Sequence, residues 1–153
     1  MSDKDYLKLA VEQAKKSVAE GGFPAGAVIV KDGKILSEGI SIGRKLNDPT
    51  EHAETSAIRK ACKNIGSYLD GATLYGSLEC CNMCFSVANW AGIKRVVYGC
   101  RKTSEMVNKF YYEGSTANHV LNESNNNKIE IVFLPDFEEE MLDLVKQWEE
   151  KLK

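Results

Sequence analysis

Between Asp3 and Glu20 the apolar positions Tyr6, Ala10, Ala14 and Val18 recur every four residues, the spacing of one helical face, and Gly21-Gly22 follows as a stop. The period then changes. Ala25 to Val30 and Lys34 to Ile42 flank Lys31-Asp32-Gly33, and because Asp-Gly tolerates the positive φ of a tight turn, an antiparallel hairpin is predicted. Gly43 to Thr50 holds a glycine, an Asn-Asp pair and Pro49 and reads as a loop, with Thr50 the expected N-cap of a helix that runs to about Asn64 and is closed by Gly66. Ala72 to Ser77 reads as a short strand, Cys81 to Trp90 as a helix stopped by Gly92, and Arg95 to Gly99 as another strand. That order predicts a parallel crossover. Residues 101 to 127 show no clean period and stay open between helix and loop. Ile129 to Leu134 is the last strand, after which Asp136 is expected to cap a helix with the apolar set Phe137, Met141, Leu144, Val145, Trp148 and Leu152. The sum is an α/β fold with a central mixed sheet of about five strands and helices on both faces, a three-layer α/β/α sandwich.

Nothing in the pattern repeats and no linker interrupts it, so residues 1–153 are expected to form one domain, a length that suits one hydrophobic core. Hydrophobic residues make up 43% and charged ones 27%, enough apolar material to offset chain entropy. The formal charge is −2 and no basic block exceeds the pairs Lys15-Lys16 and Arg44-Lys45, which argues against a nucleic-acid groove. The N-terminus lacks a cationic start leading into an apolar stretch, and no apolar run approaches the roughly 18 residues of a membrane span. A soluble, cytoplasmic protein without membrane partners is expected. Five cysteines stand at positions 62, 80, 81, 84 and 100; an odd number without a secretion signal weakens a disulfide framework, and their clustering favours metal or redox chemistry.

Two segments carry candidate chemistry, His52-Ala53-Glu54 at the start of the second long helix and Cys80-Cys81-Asn82-Met83-Cys84 at the start of the next. Side chains two apart on a helix diverge by roughly 200°, so His52 and Glu54 converge only on something off the helix end. A metal ion is such a target. Cys81 and Cys84, three apart, place both sulfurs on one side of a first turn, where the helix N-terminus favours the thiolate that binds zinc. Two thiolates and an imidazole leave a tetrahedral zinc one ligand short, as in catalytic rather than structural sites. Glu54, not needed as a ligand, is placed to move protons during removal of an exocyclic amine.

His-Ala-Glu followed downstream by Cys-x-x-Cys resembles the signature of the zinc-dependent cytidine and deoxycytidylate deaminase superfamily. The resemblance extends from Pro24-Ala25-Gly26-Ala27 through Asp48-Pro49-Thr50 and Ser77-Leu78-Glu79 to Val96-Val97-Tyr98-Gly99, and is nearest to the branch of guanine deaminases, fungal cytosine deaminase and tRNA adenosine deaminases. It implies a five-stranded sheet, one Zn2+ per chain held by His52, Cys81 and Cys84, Glu54 as proton shuttle, substrate contacts at Ser41 and Ala53, and a homodimer. The expected substrate is a small free nucleobase or nucleoside. An amino-purine such as guanine stands ahead of cytosine, because Asn47-Asp48-Pro49-Thr50 and Ala57-Ile58-Arg59-Lys60-Ala61-Cys62 look most like bacterial guanine deaminases; Glu105 and Glu113 are the nearest candidate acceptors for such a ring.

Two positions depart from that pattern. Cys80 stands where relatives carry proline, which makes Cys80 with Cys84 a rival ligand pair, although the residues around Cys81 keep the family register. Ser41 stands where many relatives carry asparagine. Blander assignments also exist for each group: a closed zinc site completed by Cys62, Cys80, Cys100 or His119, a redox dithiol, a tRNA adenosine deaminase, or a non-catalytic zinc protein. Phe110, Tyr111 and Tyr112 read as core or dimer contacts, with stacking of one of them on a substrate ring as the alternative.

Overall fold

The computed structural model describes residues 1–153. Helix α1 (Asp3–Ala19) opens on a capping box in which the Ser2 hydroxyl accepts the Asp5 N–H and the Asp5 carboxylate accepts the Ser2 N–H at 2.8 Å. Strands β1 (Phe23–Lys31) and β2 (Lys34–Ser41) follow, joined by Asp32 and Gly33 at φ of 50° and 73°. Positive φ at both central residues is the type I′ geometry expected of Asp-Gly, and it pairs Lys31 with Lys34.

The expected loop from Gly43 contains a single helical turn, α2 (Gly43–Leu46), and the next helix starts later than its sequence predicts. Thr50 does not cap it. Both the Thr50 hydroxyl and its N–H donate to Asp48 Oδ1, at 2.6 and 2.9 Å, and this local turn engages the hydroxyl that a helix cap would need. Helix α3 (Ala53–Ile65) is capped instead by His52, in extended conformation, whose N–H donates to the Thr55 hydroxyl at 2.9 Å.

Strand β3 (Thr73–Gly76), helix α4 (Asn82–Trp90) and strand β4 (Arg95–Tyr98) form the expected crossover, with β3 and β4 parallel. The segment left open in the sequence contains two short helices, α5 (Ser104–Asn108) and α6 (Asn118–Ser124). Strand β5 (Glu130–Phe133) leads through a 3-10 turn at Pro135–Phe137 into α7 (Glu138–Lys151). Asp136 lies within that turn and pairs with Lys4 at 3.3 Å rather than capping α7, because Pro135 starts the tighter turn one residue before it.

The strand order is β2-β1-β3-β4-β5, with β1 antiparallel to both neighbours and β3, β4 and β5 parallel. Side chains alternate between two faces. Ala27, Ile29, Leu74 and Val96 point toward α3 and α4, whereas Val28, Val30, Tyr75 and Val97 pack with Tyr6, Leu7 and Ala10 of α1. Helix α7 lies beside α1, with Met141, Leu144 and Val145 buried. The mixed sheet between helical layers is the expected α/β/α sandwich. No helix is long and apolar enough to cross a membrane.

Helix α3 crosses β2 at Gly39, where an added Cβ would overlap the Ala53 carbonyl oxygen. Gly39→Ala is therefore expected to cost about 1–3 kcal/mol, the range for overpacking a close contact, read as a lower urea midpoint. An unchanged midpoint would show that α3 has room to withdraw from the strand.

Candidate metal centre and active site

Because β1 runs antiparallel to β2 and to β3, those two strands run in the same direction and end at the same edge of the sheet. Helices α3 and α4 start from the loops that leave that edge, so their N-termini meet there. This is the edge where open α/β sheets usually bind ligands. The cysteine loop is clipped to β1 by a reciprocal pair: the Ser77 N–H donates to the Gly26 carbonyl and the Gly26 N–H donates to the Ser77 hydroxyl, each at 2.9 Å.

His52 and Cys81 occupy the N-cap positions of α3 and α4, both extended, so both side chains stand off the helix ends. His52 Nδ1 lies 3.5 Å from Cys81 Sγ and 3.5 Å from Cys84 Sγ, and the three donor atoms lie within 4.8 Å of one another. Cys81 Sγ also accepts the Cys84 N–H at 3.4 Å. Hydrogen bonding from the Cys84 thiol, opposed by burial and helped by His52, pulls the Cys81 thiol down to about 4. Cys84 is pushed up by sharing that proton and by burial, and the Cys81 partnership raises His52.

One imidazole and two sulfurs converging from two helix ends fit zinc, and with three donors they leave a tetrahedral ion one position open. The rival ligand Cys80 is outside the cluster and fully buried. The other candidate fourth ligands are outside it as well: Cys62 is half-buried, Cys100 is buried with its thiol toward the Arg101 carbonyl at 3.7 Å, and His119 is exposed on α6. A closed structural site is thus not formed. Glu54 is 6% exposed and does not join the donors; burial first, and then the neighbouring Cys81 sulfur, push its carboxyl up to about 7.

A cavity of about 840 Å³ opens onto this cluster, with His52, Glu54 and Cys81 among its lining. Ser41, at the end of β2, also lines it. Ala53 does not: it is fully buried, with its carbonyl against Gly39, and offers the cavity no side chain. Glu105 and Glu113 are likewise outside the lining, and Glu105 is paired with Lys109 at 2.7 Å.

Residues whose first reading was as core or dimer contacts supply the outer wall. Tyr112 is the core residue of the aromatic trio. Tyr111 instead packs edge-on against Trp148 at 5.3 Å, and Phe110 sits at φ 61° and 90% exposed on the cavity rim. The α7 stripe splits in the same way, with Met141, Leu144 and Val145 in the core but Trp148 and Leu152 lining the cavity. Helical spacing marks those two as one face with the core set and carries no sign of where the sheet ends beneath them.

Residues 1–100 match the cytidine and deoxycytidylate deaminase zinc-binding region. The chain is 50% identical to guanine deaminase of Bacillus subtilis over 105 residues, 67% of each chain. It is 39% identical to tRNA-specific adenosine deaminase of Aquifex aeolicus over 99 residues, covering 64% of this chain and 66% of that one. The solved structure of guanine deaminase from Bacillus subtilis superposes with a TM-score of 0.68 at 37% identity, covering 98% of this chain and 95% of that one. The sequence matches thus span about two thirds of those relatives' length. The chain belongs to the cytidine and deoxycytidylate deaminase family, zinc-binding hydrolytic deaminases that act on C–N bonds.

Metal analysis is expected to find one zinc per chain in the wild type and in Cys80→Ala, and loss of zinc in Cys81→Ala and Cys84→Ala, because only the latter pair faces His52 Nδ1. Retention of full zinc by Cys81→Ala together with loss from Cys80→Ala would shift the ligand register by one residue.

Proposed function

We propose that this protein hydrolyses the exocyclic amine of a free nucleobase or nucleoside, a guanine-type purine ahead of a cytosine-type pyrimidine, and releases ammonia, with Glu54 as its proton carrier. The observation that carries this reading is a buried carboxylate set beside an incomplete His/Cys/Cys donor set on the lining of an aromatic-walled cavity. The guanine preference draws support from the 50% identity to a guanine deaminase.

Zinc held by His52, Cys81 and Cys84 supplies a Lewis acid that lets water ionise near neutral pH. Glu54 takes a proton from the water that adds to the amine-bearing ring carbon and delivers it to the adjacent ring nitrogen. It then moves the remaining hydroxyl proton to the amine, so that the C–N bond breaks, ammonia leaves and a ring carbonyl stays. Burial of Glu54 keeps bulk water from competing for these protons. Phe110, Tyr111 and Trp148 offer flat apolar surface to a planar ring, and the Ser41 hydroxyl is the polar group of β2 that reaches the same cavity. A homodimer is part of this proposal, supported by the family resemblance; light scattering tests it.

A second reading, deamination of adenosine in tRNA, has its own support. Several relatives are tRNA-specific adenosine deaminases. Arg44 and Lys45 line the cavity mouth on α2 and neither forms an ion pair, so two cations face solvent there. Ammonia release from guanine, guanosine, cytosine, cytidine, adenine and a tRNA anticodon stem at fixed salt separates the two. Turnover of guanine with little salt dependence is the expected result; turnover of tRNA alone, falling steeply as salt rises, would replace it.

Glu54→Gln is expected to keep its zinc and its fold and to lose turnover by at least about 100-fold, the lower range for a positioned acid-base group. Wild-type rates in the zinc-loaded variant would remove Glu54 from the mechanism.

A further inference from the structure

The stretch between β4 and α6 brings Phe110, Tyr111 and Tyr112 to the cavity and holds only one short helix, so the points where it leaves and rejoins the body of the protein help to set its shape, beside its buried Met106 and the Tyr111–Trp148 contact. Both joints fall on one side chain. Glu79, buried in the loop that leads to Cys81, accepts the Lys102 N–H at Oε1 (3.0 Å) and the Asn118 N–H at Oε2 (2.8 Å). The two ends of the loop are thereby tied to the two oxygens of one carboxylate.

Further bonds brace the same base. Asn118 Nδ2 donates to the Cys80 carbonyl at 2.8 Å, and the Tyr112 hydroxyl, from within the loop, donates to the Glu79 carbonyl at 2.7 Å. The Lys102 ammonium donates to the Thr116 carbonyl and to Asn82 Oδ1, and lies 5.1 Å over the Tyr112 ring. Asn118 Oδ1 is buried without a donor, a cost that the other bonds of this residue offset. No side-chain bond of Glu79 goes to Cys81 or Cys84; both go to the loop. The metal ligands are also held by the α4 N-terminus and the Ser77–Gly26 clip.

We infer that Glu79 is a positioning residue for substrate: its carboxylate closes the base of the 102–118 loop and so fixes where Phe110 and Tyr111 stand on the cavity wall. The inference rests on the cavity being the substrate site and is independent of which ring enters it. A carboxylate suits the task because it accepts two N–H groups at once, whereas an amide of the same shape turns an NH2 group toward one of them and opens one joint.

Amide hydrogen exchange on zinc-loaded Glu79→Gln, with kinetics on whichever base the wild-type protein turns over, tests this. Exchange across 103–117 is expected to quicken at least about tenfold, the worth of one charge-assisted hydrogen bond, with β1 and α3 unchanged and zinc retained. KM should rise about tenfold with kcat within about threefold, the pattern of lost substrate binding rather than lost chemistry. In the wild-type protein the Lys102 and Asn118 amides are expected to exchange slowly, and this protection decides the matter alone should Glu79→Gln fail to fold. Unchanged exchange across 103–117 in Glu79→Gln, or free exchange of the Lys102 and Asn118 amides in the wild type, overturns the clamp. Zinc loss from Glu79→Gln also overturns it, by making Glu79 a support of the cysteine loop, as does a fall in kcat at constant KM. The exchange arm needs no substrate, so an error in the substrate assignment leaves it standing.

Discussion

Strand direction is the constraint on which the rest of this protein depends. With β1 antiparallel to both β2 and β3, the two strands that precede α3 and α4 must end at one edge, and the two helices start there side by side. Each helix begins with unsatisfied N–H groups and a partial positive charge. Here the residues at those caps are an imidazole and a thiolate, not the usual short hydroxyl or carboxamide, and they face each other at 3.5 Å. The helix end that places Cys81 also helps hold it as a thiolate through the Cys84 N–H, beside the larger effect of the Cys84 thiol and that of His52.

The same junction explains how a carboxylate is kept in a buried place. Glu54 is in the first turn of α3, where the helix dipole favours negative charge, yet burial and the adjacent sulfur raise its carboxyl toward neutrality. These opposed influences leave a group able to gain and lose a proton near neutral pH, which a general acid-base residue requires. Its neighbours on the next helical turn, Ala57 and Ile58, are core residues, so the carboxylate has nowhere to relax except toward the cavity.

The wall facing that junction is built from less regular parts. The 102–118 loop and the end of α7 meet through Tyr111 and Trp148, and through Lys109, which pairs with both Glu105 and Glu149 at 2.7 Å. Exposed ion pairs of this kind contribute little individually; the buried bonds of Glu79 and Tyr112 hold the base of the loop, while the aromatic contacts hold its tip. The donor set thus stands on two helix ends, and the wall opposite it is tied down at a few points.

Local periodicity and turn chemistry were enough to locate α1, the Asp-Gly hairpin and the β3-α4-β4 crossover, because each depends on residues close together in the chain, whereas joining His52 to Cys81 and Cys84 rested also on the family resemblance. His52, Glu54, Cys81 and Cys84 were legible for the further reason that thiols and an imidazole at helix starts combine into few other structures. The residues between 101 and 127 were not legible, since short helices held by Glu79 and Asn118 draw their stability from long-range bonds that leave no local period. Thr50 and Asp136 were misplaced as caps for a related reason: Asp48 and Pro135 offered each segment a competing local turn, and the pattern alone does not rank the two. Trp148 and Leu152 carry the spacing of a core stripe, and only the end of the sheet beneath α7 decides that they face a cavity instead. Sequence settles which groups are present and which local bonds they favour, whereas the surface each group finally meets is set by packing between segments far apart in the chain.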